Sequence, residues 1–167
     1  MKSLIIATAA VVVPWGLSQE PKKESAPATD TKPAATATAA DLEAKFKTAL
    51  TSTVLDGRFC MIAGGKLGPD KEEKYTISKV EKSAEGKWTI TAKIEYGGLS
   101  FDAPVPVQVQ WAGDTPVIIV DNVGFPGTAK YSARVMIYGE TYAGTWSGGD
   151  HGGLMHGILR RAEEKAK

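Results

Sequence analysis

The chain has a single cysteine among 167 residues, so no intramolecular disulfide can form and the fold rests on its core alone. That residue, Cys60, lies in the apolar run Arg58-Phe59-Cys60-Met61-Ile62. Only Arg58 supplies nearby positive charge, so the thiol reads as buried and inert rather than reactive. Histidine is equally scarce, with His151 and His156 the only two. There is no excess of charge either: residues 41–167 hold 16 basic and 16 acidic side chains. Phosphate binding needs a basic stripe, so this balance excludes nucleic acid as a partner.

Long hydrophobic runs are missing except at the start. Lys2, the apolar stretch Leu4 to Val13 and the small-x-small sequence Gly16-Leu17-Ser18 read as a secretory signal over residues 1–18. The apolar stretch is shorter than the roughly 20 residues that span a bilayer. The expected mature chain starts near Gln19, has no membrane span, and is exported to a periplasm or to the extracellular medium. No cysteine stands near the cleavage point to carry a lipid. Residues 19–40 are Pro, Ala, Thr, Lys and Glu without a large apolar side chain, as in Ser25-Ala26-Pro27 and Lys32-Pro33-Ala34. Such a segment cannot bury enough surface to offset its ordering entropy and reads as a disordered linker. The folded domain is expected over residues 41–167.

Asp41 stands at a cap position, and Leu42, Phe46, Ala49 and Leu50 follow at helical spacing, giving a helix of about three turns. After Gly57 the period changes to two. Trp88, Ile90, Ala92, Ile94 and Tyr96 alternate with Lys87, Thr89, Thr91, Lys93 and Glu95, which is a strand with one wet face. Val105, Val107, Val109 and Trp111 alternate with Pro104, Pro106, Gln108 and Gln110, and the prolines place the start of that strand at an edge or bulge.

Eight strands are expected, at about 57–63, 73–81, 87–96, 103–112, 115–121, 130–138, 141–147 and 153–161, separated by glycine-rich turns. Short connections force antiparallel neighbours, so the fold class is an all-β, eight-stranded antiparallel meander with one short N-terminal helix. A closed barrel is favoured over a β-sandwich because the spacing is even and no long crossover is present.

The helix feeding into Leu55-Asp56-Gly57-Arg58-Phe59, followed by this meander, resembles the calycin superfamily of lipocalin-like and avidin-like barrels. Its members start the first strand with Gly-x-Trp, covered by an Arg from the last strand. Here Gly57-Arg58-Phe59 is the equivalent, with Phe for Trp, and Arg160 or Arg161 would be the covering Arg; a literal Gly-x-Trp, Gly144-Thr145-Trp146, falls on the penultimate strand. The resemblance implies an interior that holds a small, largely apolar ligand. The stretch from Tyr131 to Arg161 is also similar to tails of small exported bacterial proteins of uncharacterised function.

Chemistry concentrates between Gly144 and Gly157. Gly148, Gly149, Gly152 and Gly153 read as a tight loop with His151 at its tip, while Gly144 and Gly157 mark close approaches inside strands. Asp150, His151 and His156 are the candidate metal ligands, being of types that suit zinc, although Cys-x-x-Cys and His-x-x-x-His spacings are absent. Ser147, Asp150 and His151 are the residue types of a hydrolase, but there is no Gly-x-Ser-x-Gly elbow, and no residue is assigned a catalytic role.

A binding module has the better physical basis, with no cofactor implied and a small apolar ligand or a protein as partner. Its candidate ligand-binding residues are Trp88, Trp111, Arg134, Tyr142 and Trp146. Arg134 has an alternative place on the outer face. A hydrolase or metal protein built on the Asp150-His151 loop and a structural envelope protein are the other two classes.

Overall fold

The computed structural model describes residues 37–125 and 129–162. The signal and nearly all of the linker expected from the sequence lie outside these residues. Helix α1 (Ala39–Leu50) is followed by β1 (Thr53–Ala63), β2 (Lys66–Leu67), β3 (Lys71–Ala84), β4 (Lys87–Tyr96) and β5 (Leu99–Ala112). Then come β6 (Thr115–Gly124), β7 (Lys130–Tyr138), β8 (Thr141–Gly148) and β9 (His151–Arg161). All pairings are antiparallel, and β9 returns to pair with β1 from Thr53–Arg161 to Met61–Gly153, closing an eight-stranded barrel. The two-residue β2 folds back on the end of β1 and is the one strand outside the ring.

Closure settles barrel against sandwich, and the turns show why neighbours are sequential. Gly64, Gly65, Gly86, Gly97, Gly98, Gly113, Gly139 and Gly149 all have positive φ, the conformation that glycine adopts without a Cβ penalty. Pro104 and Pro106 fall where β5 pairs with β4 alone, since the ladder to β6 begins only at Gln108. The barrel is therefore unzipped between β5 and β6 at one end, and a Phe101–Phe125 ring contact at 5.3 Å bridges the gap.

The helix plugs the opposite end. Its N-cap is Thr38, whose side chain accepts from the Asp41 backbone, while the Asp41 carboxylate returns to the Thr38 amide. Asp41 is thus the fourth residue of a capping box rather than the cap itself, and the helix starts three residues earlier than its apolar pattern implies. Phe46 and Leu50, the buried face, seat on the barrel floor. Phe46 meets Trp88 edge-on at 5.2 Å and Trp111 at 6.3 Å. Lys82 holds Glu43 at 2.6 Å from the side.

Arg161 Nη1 donates to the carbonyls of Thr48 and Thr51, each at 3.1 Å. A cation at a helix C-terminus satisfies carbonyls that have no partner within the helix. The last-strand arginine therefore crosses the helix end and not Phe59, which is six residues, or about 20 Å, further along β1. Arg160 lies outside, 3.8 Å from Asp56.

The plug generates a graded expectation. Phe46→Ala should cost about 3–5 kcal/mol, because the void faces two tryptophans, whereas Thr38→Ala should cost about 1 kcal/mol. Urea denaturation of both variants checks the order, and equal small losses would mean that the helix is not part of the core.

Candidate functional site

Inward-facing positions alternate along every strand, and toward the end away from the helix they do not fill the interior. A cavity of about 390 Å³ remains. Its deeper wall is aliphatic, with Leu55, Ile77, Ile90, Ile94, Val107, Ile118 and Val135 among the side chains. Its mouth is aromatic: Phe59, Tyr96, Phe101, Phe125, Tyr131 and Trp146. These rings form a continuous chain of contacts, from the tilted Phe125–Phe101 pair at 5.3 Å through Tyr96 to the edge-on Phe59–Trp146 pair at 5.8 Å. The volume is within the range of small-molecule pockets, roughly 300–1,000 Å³.

Glycines make room for the aromatic side chains. Tyr142, Trp146 and Tyr131 are the direct cross-strand partners of Gly157, Gly153 and Gly148. A Cβ at Gly148 would strike the Tyr131 ring, one at Gly157 the Tyr142 ring, and one at Gly153 the Cys60 carbonyl beside the Trp146 indole. The aromatic ring over glycine packs a strand position that has no side chain of its own. Gly148, Gly152 and Gly153 are therefore strand residues, and of the glycines expected in that loop Gly149 alone turns with positive φ.

Glu73 is the polar centre of this interior, 4% exposed and lining the cavity. The Tyr142 hydroxyl donates to its Oε1 at 2.8 Å and the Tyr75 hydroxyl to its Oε2 at 3.0 Å. Tyr142, Gly157, Gly57 and Glu73 form one row in direct register across β8, β9, β1 and β3. The two glycines clear the path, since a Cβ at Gly57 would collide with the Tyr142 hydroxyl. Burial raises the Glu73 carboxyl above its ordinary 4.5, against the opposing pull of the Tyr142 and Tyr75 hydrogen bonds and of His156. Burial first, then the negative charge of Glu73, raises both tyrosines. At the mouth, burial and a hydrogen bond with Tyr131 push Tyr96 up to about 12.

The residues singled out from the sequence separate. Trp146 lines the cavity, and its indole N–H is buried without a hydrogen-bond partner among the described residues. Tyr142 is 2% exposed and orients Glu73 from beneath. Trp88 and Trp111 belong to the helix-plugged end and do not line the cavity. Arg134 is on the outer face, donating to Asp121 Oδ1 at 2.7 Å and to the Val120 carbonyl at 3.0 Å.

His151 is not a loop tip: it is the first residue of β9, points inward, and meets Trp146 edge-on at 5.5 Å. Its Nδ1 is 3.1 Å from Asp150 Oδ1, and this contact holds the exposed Asp150 carboxyl below its usual range. His156, five residues along the strand, is on the opposite face opposite Arg58. Odd spacing on one strand puts the two imidazoles on different sides of the wall, about 16 Å apart along it. No group of three or more His, Cys, Asp or Glu side chains that could hold a metal occurs among the described residues. Ser147 is exposed on the outer face of β8, across the wall from His151.

Comparison with protein-family models, with curated proteins and with solved structures finds no match to this chain. The closed eight-stranded antiparallel barrel is compatible with a calycin-like fold on topology alone.

A carboxyl whose folded-state pKa is raised stabilises the fold below its unfolded value and loses that contribution as pH rises through the folded one. Glu73→Gln removes this titration. The stability of the variant relative to the parent should therefore rise as pH is taken upward from about 4.5, the carboxyl's ordinary value. Thermal melts across that range check it, and a constant difference would mean that Glu73 is not buried as described.

Proposed function

We propose that this chain is an exported binding protein whose β-barrel takes up a small, largely apolar ligand, with no catalytic step. The observation that carries the reading is the apolar cavity of about 390 Å³ at the aromatic end of the barrel. Filling that volume with side chains would have been the cheaper solution for stability alone, because an interior void forfeits dispersion contacts on every wall. The closed β1–β9 seam and the helix plug leave the aromatic mouth as the route in. Export is supported by the apolar, small-residue pattern of residues 1–18.

Native mass spectrometry of the chain purified from its own host, before and after mild denaturation, tests this. The expected result is an added small-molecule mass that disappears on unfolding. Ala133→Phe, which puts a ring into the cavity next to Trp146 and Val120, should remove the added mass while the circular dichroism spectrum stays that of the parent. A bare polypeptide mass from the host, persisting after incubation with apolar probes, would contradict the proposal.

A further inference from the structure

Resting on the reading that the cavity holds a ligand, we infer that this ligand is an apolar amine whose ammonium group is received by Glu73. The carboxylate is the acidic side chain of the cavity wall, and its position is fixed from two sides by Tyr75 and Tyr142. Each of its oxygens accepts one hydrogen bond of the two that a carboxylate oxygen can take, so acceptor capacity remains. The phenol oxygen of Tyr75, which also lines the cavity, adds a further acceptor beside it.

Among the described residues no lysine, arginine or histidine forms an ion pair with Glu73. Lys71 lines the cavity two residues toward the mouth on the same face of β3, where it is exposed, and His156 acts on Glu73 from the outer face of the wall. A buried carboxylate without a counter-charge is costly, and an entering cation removes that cost. An ammonium carries three donors and no acceptor, which matches the free acceptor positions on Glu73 and Tyr75. The rings of Phe59, Tyr96 and Trp146 on the way in present faces that attract a cation and exclude nothing apolar. A fatty acid would instead set a second negative charge beside the first.

Calorimetric titration of the full chain with octylamine, octanol and octanoate, which share one hydrocarbon, tests the inference. The amine should bind about tenfold or more tightly than the alcohol, and the carboxylate most weakly. In Glu73→Gln the preference for the amine should vanish while octanol affinity is kept. Equal binding of amine and alcohol by the parent chain overturns the inference and leaves the cavity standing, and this comparison holds even where the variant fails to fold. A preference that survives in a folded Glu73→Gln overturns it as well. Absence of binding by all three overturns the cavity reading itself.

Discussion

The hydrogen bond from Tyr142 to Glu73 is the interaction on which the rest of the barrel turns. It runs from β8 to β3 over the two strands that close the ring, and it can do so because the residues beneath it, Gly157 and Gly57, have no side chains. A side chain at either glycine would block the ring and leave a carboxylate buried with one donor fewer. An unmet buried charge is far more expensive than the modest entropy cost of two strand glycines. The seam between first and last strand is thus tied on the inside as well as by its own ladder.

The same trade recurs at lower stakes along β8 and β9. Tyr131 over Gly148 and Trp146 over Gly153 thin the wall on one side and lay flat rings against it. Rings that lie along a wall do not reach across the interior, and this is why an aromatic-rich barrel still keeps a cavity. At the other end the geometry is reversed: Trp88 and Trp111 meet Phe46 of the helix edge-on. One barrel therefore has a floor plugged by a helix and an open aromatic mouth, with a single carboxylate between them.

Much of this architecture was legible in the sequence. Alternation from Trp88 to Tyr96 and from Val105 to Trp111 identified the strands and their inner faces, glycine pairs marked the turns, and the prolines located the half of β5 that has one neighbour. The site was not legible in the same way. Glu73 sits in Lys71-Glu72-Glu73-Lys74, a run whose charge argues for a solvated strand end. Only its parity with Tyr75 and Ile77 points inward. Its donor is 69 residues away, and that pairing depends on register across four strands, which no local pattern encodes. The glycines of β8 and β9 misled for a related reason: in a sequence, glycine for a turn and glycine for a close approach look the same. That ambiguity is why the sequence suggests a loop tip for His151, which stands at the start of β9.

A double-mutant cycle on Tyr142→Phe and Glu73→Gln measures the central interaction most directly. The account predicts that the two substitutions are coupled, by about 1–3 kcal/mol in unfolding free energy, because Tyr142→Phe removes the donor and Glu73→Gln replaces a charged acceptor by a neutral one. Effects that add to within about 0.5 kcal/mol would contradict it, since independent groups cannot be holding the seam together.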